Sequence, residues 1–314
     1  MIRYLTELSL EHFTEAARNI PYQQIHSDLF PGLNVWIRRD DLIDPLISGN
    51  KAYKLIYNLL EARKQGKDTI VTCGGAWSNH IHATAAAGQR FGFKTIGIIR
   101  GERPPKLSAM LQDAERFGMV LRFISRKEYR NRHQAEFLEP IGFDPDSSWF
   151  VPEGGANSEG GRGVQLLGRI ITETAPVIFD ECWLPCGTGL TAGALASVLP
   201  QTTSVTGVAV VRDEPGIRLE IKKWADQVED QSKVDLILGG HHGGYGRVSE
   251  SLRQTMTESE RKEKLALDHV YGAKLMSALT HCAAEPFNEE NKRQKNILIL
   301  HTGGVQGKRG LTNN

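Results

Sequence analysis

The chain has 314 residues, 40% of them hydrophobic, which suits one large domain or two modest ones with substantial cores. Its 38 basic and 37 acidic residues leave a formal charge of +1, so no overall field recruits nucleic acid or an anionic membrane, and a small-molecule partner remains. No apolar run approaches the ~20 residues that span a bilayer, and the opening "MIRYLTELSLEHFTEAARNIP" is amphipathic and acidic rather than signal-like, so a cytoplasmic location is expected.

Taken in chain order, the first informative stretch is "SGNKAYKL", residues 48–55, which sets a lysine just ahead of an apolar helical pattern. Taken alone, Lys51 is a solvated residue at a helix start. It becomes a nucleophile only if burial or a nearby cation lowers its pKa, and Lys54, one turn later on the same face, is a candidate for that cation.

From residue 68 apolar, β-rich runs alternate with helical patterns. Strands are expected at 69–73, 94–99, 120–124, 147–151, 177–184, 204–211, 234–238 and 296–301. The stretches "SNHIHATAAAGQRFG" and "KLSAMLQDAERFG" between them each close on a glycine, as helices do. This βαβα order predicts an α/β fold with mostly parallel sheet covered by helices on both faces, as one sheet or two. The segment "EGGANSEGGRG", residues 153–163, interrupts the series and reads equally as a crossover between two sheets or as a functional loop.

Open α/β sheets bind ligands where loops leave the carboxyl ends of the strands. After the 69–73 strand, "CGGAWSNH" turns on two glycines, with Ser78 placed to cap an alanine-rich helix. The amides of Ser78, Asn79 and His80 then form a site for a carboxylate or phosphate, although a plain capped helix has the same pattern. "LPCGTGLTAGALA" repeats the arrangement with a turn from Cys186. The amides of Gly187, Thr188, Gly189, Leu190 and Thr191, with the hydroxyls of Thr188 and Thr191, suit a phosphate. No lysine follows these glycines and no G-x-G-x-x-G is present, so neither nucleotide fingerprint is met. A third loop, "HTGGVQGKRG", makes Thr302 the first polar side chain beyond the last strand. Cys73, Cys182, Cys186 and Cys282 lack paired C-x-x-C spacing and are expected to be packed core thiols or bystanders rather than metal ligands. Two anion sites at helix starts with a lysine pair are what a phosphorylated aldehyde cofactor requires: one start for its phosphate, the other for a substrate carboxylate, and Lys51 as the bonded amine.

In this order "RRDDL" (38–42), "SGNKAYKL", "GGAWSNH", "GTGLTAG", "GGYG" (243–246), "LDHVYGAKLM" (267–276) and "HTGG" (301–304) resemble the pyridoxal-phosphate enzymes of the tryptophan-synthase β type. The resemblance runs collinearly over nearly the whole chain and is to the group of 1-aminocyclopropane-1-carboxylate deaminases and D-cysteine desulfhydrases. It implies pyridoxal 5'-phosphate on Lys51 and two open, twisted, mostly parallel sheets. It also implies a large cofactor domain of residues 1–64 and 160–314, a small α/β domain inserted at 65–159, and a homodimer. It further implies that Lys54 and the 187–191 loop bind phosphate, that Asn79 holds the phenolic oxygen, and that Ser78, Asn79 and His80 hold the substrate carboxylate. Tyr245 and Tyr271 would be the substrate-side tyrosines, one packing on the pyridine ring and either acting in proton transfer. Thr302 would face the pyridine nitrogen.

The departures concern the pocket. Gly272 stands where the deaminases carry an acidic residue for the pyridine nitrogen, which leaves Thr302 as a neutral partner and favours loss of a good β-substituent over ring opening. Tyr53, Trp77, His82 and Ser48 replace usual arginine, glutamine or small, arginine and glycine residues, with Trp77 expected to reshape the carboxylate site. The implied reaction is β-elimination from a D-cysteine-like amino acid to pyruvate, ammonia and sulfide. Deamination of the cyclopropane, dehydration, racemisation, β-replacement, cofactor binding without catalysis, and a nucleotide-binding protein that merely shares glycine loops are the alternatives.

Overall fold

A computed structural model of the chain describes residues 4–225, 233–284 and 294–310. An amphipathic helix, α1 (Leu10–Arg18), capped by Ser9, leads into β1 (Tyr22–Ile25) and β2 (Leu33–Arg38). Neither strand is anticipated from the sequence reading, yet β2 is interior to a sheet: it pairs with β1 antiparallel and with the last strand in parallel. The chain then enters α2 (Asn50–Lys64), whose apolar face is buried together with both of its first lysines.

All eight expected strands form. Four, β3 (Thr69–Gly74), β4 (Lys94–Arg100), β5 (Met119–Ile124) and β6 (Ser148–Val151), make a parallel sheet in the order β5-β4-β3-β6. The others, β7 (Glu181–Cys186), β8 (Ser204–Ala209), β9 (Val234–Ile237) and β10 (Lys295–Leu300), join the first two in the order β1-β2-β10-β7-β8-β9. One expected strand is displaced: residues 177–184 do not pair as a unit, because Ile178 is 74% exposed and the ladder with β8 begins at Glu181 and runs through Pro185 to Cys186. The loop that follows is correspondingly shorter.

The helices are α3 (Asn79–Phe91), α4 (Ala109–Arg116), α5 (Arg126–Tyr129), α6 (Ser158–Thr174), α7 (Leu190–Ala196), α8 (Glu214–Ala225), α9 (Glu250–Glu263) and α10 (Gly272–Ala283). The 153–163 segment is both things its sequence allowed. It carries the chain from the four-stranded sheet back toward the six-stranded one, and Gly154 lines the cavity described below. Its later glycines serve packing: a methyl group on Gly163 would lie 1.8 Å from the Tyr53 carbonyl oxygen, so α6 and α2 touch backbone to backbone.

Behind α2 a buried polar cluster ties α1, β2 and α2 together. The Arg38 guanidinium donates to Asp40 Oδ1 at 3.1 Å and to the Ala17 carbonyl at 2.5 Å, and the Tyr53 hydroxyl donates to Asp40 Oδ1 at 2.7 Å. Tyr53 is fully buried here, pointing into the core. Cys73, Cys182 and Cys186 are buried and Cys282 is exposed. Among the described residues, no helix is long and apolar enough to cross a membrane.

Candidate active site

A cavity of about 830 Å³ lies where the carboxyl ends of the two sheets face each other, the position at which open α/β sheets bind ligands. Its walls come from the start of α2, the loops after β3, β7 and β10, and the segments after β6, β8 and β9. Lys51 and Lys54, Ser78, Asn79 and His80, Gly187, Thr188, Gly189 and Thr191, Tyr245, Tyr271 and Thr302 all line it. Residues spread over 250 positions are thus brought to one space. Leu190 is the exception among the sequence-predicted residues: its side chain is fully buried in the apolar core, so only its amide is available to the loop.

Each wall has a local cause. Gly49 caps α2 with a φ of 64°, and a methyl group there would lie 2.0 Å from the Thr302 carbonyl oxygen. The "SGN" and "HTGG" loops are therefore stacked, and Lys51 and Thr302 reach the cavity from adjoining turns. Ser78 caps α3 as expected, its Oγ accepting from the Ile81 amide at 3.3 Å. The expected set of three outward amides is reduced to two, because the Ser78 amide donates to the Gly75 carbonyl within the turn. In the β7 loop Gly189 has a φ of 96°, and a methyl group would lie 2.5 Å from the Ile217 carbonyl oxygen. The amides from Gly187 to Leu190 take part in none of the turn and loop hydrogen bonds of the neighbouring segments.

Asn50, which the sequence reading left out, links two walls: its Nδ2 donates to Thr191 Oγ1 at 3.1 Å. Its signal was present in the quoted "SGNK" stretch. Arg100, Glu153 and Arg132 also line the cavity and carried no sequence signal. They stand on strand ends and loops of the four-stranded sheet that only the fold turns toward the lysines. Glu153 accepts from the Tyr129 hydroxyl at 2.9 Å and pairs with Arg132 at 2.6 Å.

Burial lowers the Lys51 ammonium to about 8, with Asp268 opposing the shift. Lys54 is held well below the lysine range, by burial first and by its repulsion with Lys51 second. Lys54 Nζ donates to the Gly154 carbonyl at 3.1 Å. His80 is also driven well down, by burial and then by the two lysines. Burial raises both cavity tyrosines, so Tyr245 and Tyr271 stay protonated at neutral pH and serve as donors.

Lys51, Lys54 and His80 form a buried basic cluster, and both ring nitrogens of His80 and Oδ1 of Asn50 are buried without a partner. Buried polar groups are normally satisfied, and a buried basic cluster favours an anion beside it. A phosphorylated aldehyde supplies an anion and hydrogen-bonding groups, so the residues present fit it.

The pocket departures read from sequence fall outside the cavity. Trp77 packs edge-on against His269, ring centres 5.6 Å apart, and does not line the site. His82 Nε2 meets Asp113 Oδ2 at 3.3 Å behind α3, and the Ser48 hydroxyl donates to the Asp41 carbonyl at 3.4 Å. Position 272 also needs correction. A carboxylate does lie beside it, since Asp268 accepts from the amides of Val270, Tyr271 and Gly272 at 2.9, 2.9 and 2.7 Å. That carboxylate is occupied in starting α10 and does not line the cavity.

Compared with known families, residues 14–303 match the family described as "Pyridoxal-phosphate dependent enzyme". A putative 1-aminocyclopropane-1-carboxylate deaminase of Thermotoga maritima is 30% identical over 297 residues, covering 88% of this chain and 90% of the relative. A D-cysteine desulfhydrase of Serratia proteamaculans is 28% identical over 295 residues, covering 87% of each. Among solved structures, an "ACC deaminase homologue" aligns with a TM-score of 0.77 at 27% identity, over 92% of this chain and 90% of that one.

Proposed function

Because the chain belongs to the pyridoxal-phosphate dependent enzymes, we propose that it eliminates a β-substituent from a small amino acid of the D-cysteine type, giving pyruvate, ammonia and sulfide. The observation that carries this reading is the shared cavity wall: Lys51, a buried amine at about 8, and a neutral hydroxyl, Thr302, reach the cavity from adjoining turns, while the Asp268 carboxylate is engaged by three amides and does not line it. The name of the desulfhydrase relative supports it.

In this assignment Lys51 bonds the cofactor aldehyde, the 187–191 loop and Lys54 hold the phosphate, and Asn79 and Thr302 hold the ring oxygen and nitrogen. When bound, pyridoxal phosphate supplies an electron sink that stabilises negative charge at the substrate Cα. Ser78 and the amides of Asn79 and His80 hold the substrate carboxylate at the start of α3. Lys51, lowered toward neutral pH by burial, would be the group that accepts the Cα proton. Tyr245 and Tyr271, both protonated, donate to the departing group. The Thr302 hydroxyl cannot charge the ring nitrogen, so charge withdrawal is moderate and sulfide, a good leaving group, departs more readily than a cyclopropane opens.

A second reading, hydrolytic opening of 1-aminocyclopropane-1-carboxylate to 2-oxobutyrate and ammonia, is favoured by the names of the deaminase relatives. We further assign residues 65–159 to an inserted domain that closes on the substrate, supported by a four-stranded sheet drawn wholly from residues 69–151. A homodimer in the cytoplasm completes the proposal.

The test offers D-cysteine, L-cysteine and the cyclopropane to the purified protein, with sulfide, pyruvate and 2-oxobutyrate as readouts. Sulfide and pyruvate in equal amounts are expected. 2-Oxobutyrate from the cyclopropane without sulfide from either cysteine transfers the assignment to ring opening. A protein that stays colourless with added pyridoxal phosphate, or Lys51→Ala with full turnover, overturns the cofactor assignment.

A further inference from the structure

Lys274 is a fully buried cation on α10 that the proposed chemistry leaves unused. Its ammonium donates to the carbonyls of His241 and Gly244 at 2.9 Å each and to that of Val210 at 3.4 Å. An ammonium has three donor hydrogens, and three carbonyls use them all. Two of these carbonyls belong to the segment after β9 and the third follows β8, so one side chain fastens both segments to α10.

Within the segment the other hydrogen bonds are local, from the Gly244 amide to the His241 carbonyl, the Gly243 amide to His241 Nδ1, the Arg247 amide to the Gly244 carbonyl, and between His242 and Ser249, whereas the Lys274 bonds tie it to α10. Gly239, Gly243, Gly244 and Gly246 all have positive φ, and so does His242 at 45°. Glycines in such conformations hold a path only where neighbouring contacts determine it. Tyr245 directly follows Gly244 and reaches across the cleft to the other sheet, where its Cε1 lies 3.5 Å from the place a methyl group on Gly75 would occupy. Tyr271, the other cavity tyrosine, stands at the start of the same helix as Lys274, held by Asp268 through the Tyr271 amide at 2.9 Å. The distance between the two phenols is therefore set through α10, by Asp268 on one side and Lys274 on the other.

We propose that Lys274 is a positioning residue for Tyr245: a tethered cation whose three carbonyl ligands fix the 239–246 segment, so that the Tyr245 ring stands opposite Tyr271 in the active cavity. The proposal rests on that cavity being the active site. It touches neither the cofactor amine nor the phosphate loop.

The experiment compares wild type with Lys274→Ala, which leaves a cation-sized space lined by carbonyls, with and without added ammonium. Backbone hydrogen exchange of residues 239–247 is measured in the cofactor-free protein, and kcat and KM in the loaded enzyme. Expected is faster exchange confined to that segment, cofactor absorbance retained, and a kcat lower by about tenfold to a hundredfold. Ammonium restores both in the variant, changes neither in wild type, and tetramethylammonium, too large for the space, does nothing. Unchanged exchange, or losses that ammonium does not repair, overturn the proposal. If Lys274→Ala folds only when ammonium is present the proposal stands, and if it folds in neither salt the proposal falls. Should no amino acid be turned over by either protein, the assigned reaction fails and the exchange comparison alone decides the role of Lys274.

Discussion

Gly49 and Thr302 meet backbone to backbone, with only 2.0 Å between the Thr302 carbonyl oxygen and the point where a methyl group on Gly49 would stand. This contact fastens the helix that carries Lys51 to the loop that carries Thr302, at a residue whose φ of 64° already disfavours any side chain. Gly49→Ala is expected to destabilise the protein by more than about 2 kcal/mol, from backbone strain plus the clash. Chemical denaturation measures the loss, and the cofactor absorbance of the purified variant is expected to fall with it.

Gly163→Ala tests the α2 and α6 contact by the sign of its effect. In an exposed helix interior, glycine to alanine stabilises by about 1 kcal/mol. Here the added methyl group would lie 1.8 Å from the Tyr53 carbonyl oxygen, so the helices must separate and the melting temperature is expected to drop. A rise in melting temperature would show that the two helices part without cost.

The buried amine gives the cofactor-free protein a pH dependence of definite sign. Lys51 titrates at about 8 when folded and near 10.5 when unfolded, so between these values the unfolded chain binds the extra proton and stability rises with pH. Below about pH 8 burying this group costs about 3 kcal/mol, the value of lowering it from 10.5 to about 8. Lys51→Met in cofactor-free form is expected to be the more stable protein at pH 7, with the advantage shrinking as pH approaches 10. Urea denaturation of both proteins across that range measures it; equal stability at every pH would show that Lys51 is not buried as an amine.

Tyr53 and Trp77 are expected to act on stability and little on substrate choice. Tyr53→Phe removes one of the two donors to Asp40 Oδ1, leaving Arg38 as the other, and should cost about 1.5–3 kcal/mol, the usual worth of a hydrogen bond to a charged group. Trp77→Phe keeps an aromatic edge against His269. For both, KM for the preferred amino acid is expected to stay within about threefold of wild type, because neither ring enters the cavity. A larger KM change would return these positions to the site.

Much of the architecture was legible in the chain because strands in a parallel sheet are apolar runs closed by glycine turns, and eight such runs stand clear in this sequence. β1 and β2 escaped because "YQQI" and "LNVWIR" mix polar and apolar residues, and the pairing of β2 with β10 joins segments more than 250 residues apart. The strand expected at 177–184 stops one residue short of Pro185, a residue without an N–H that the ladder nevertheless includes. Ser78, the lysine pair and the glycine loops could be read because each has a local requirement: a cap, a helix face, a backbone turn.

The sequence by itself determined which residue types stand at strand ends and helix starts, and hence that an amine, a hydroxyl cap and two amide-rich turns would be available. Tertiary structure decided what surrounds them. It buried Lys51 and Lys54 together, turned Tyr53, Trp77 and His82 away from the cavity, and placed Asp268 and Lys274 behind the two tyrosines. The reason is physical: a cap or a turn is fixed by neighbours along the chain, whereas the solvation of an amine and the direction of a side chain depend on elements hundreds of residues away.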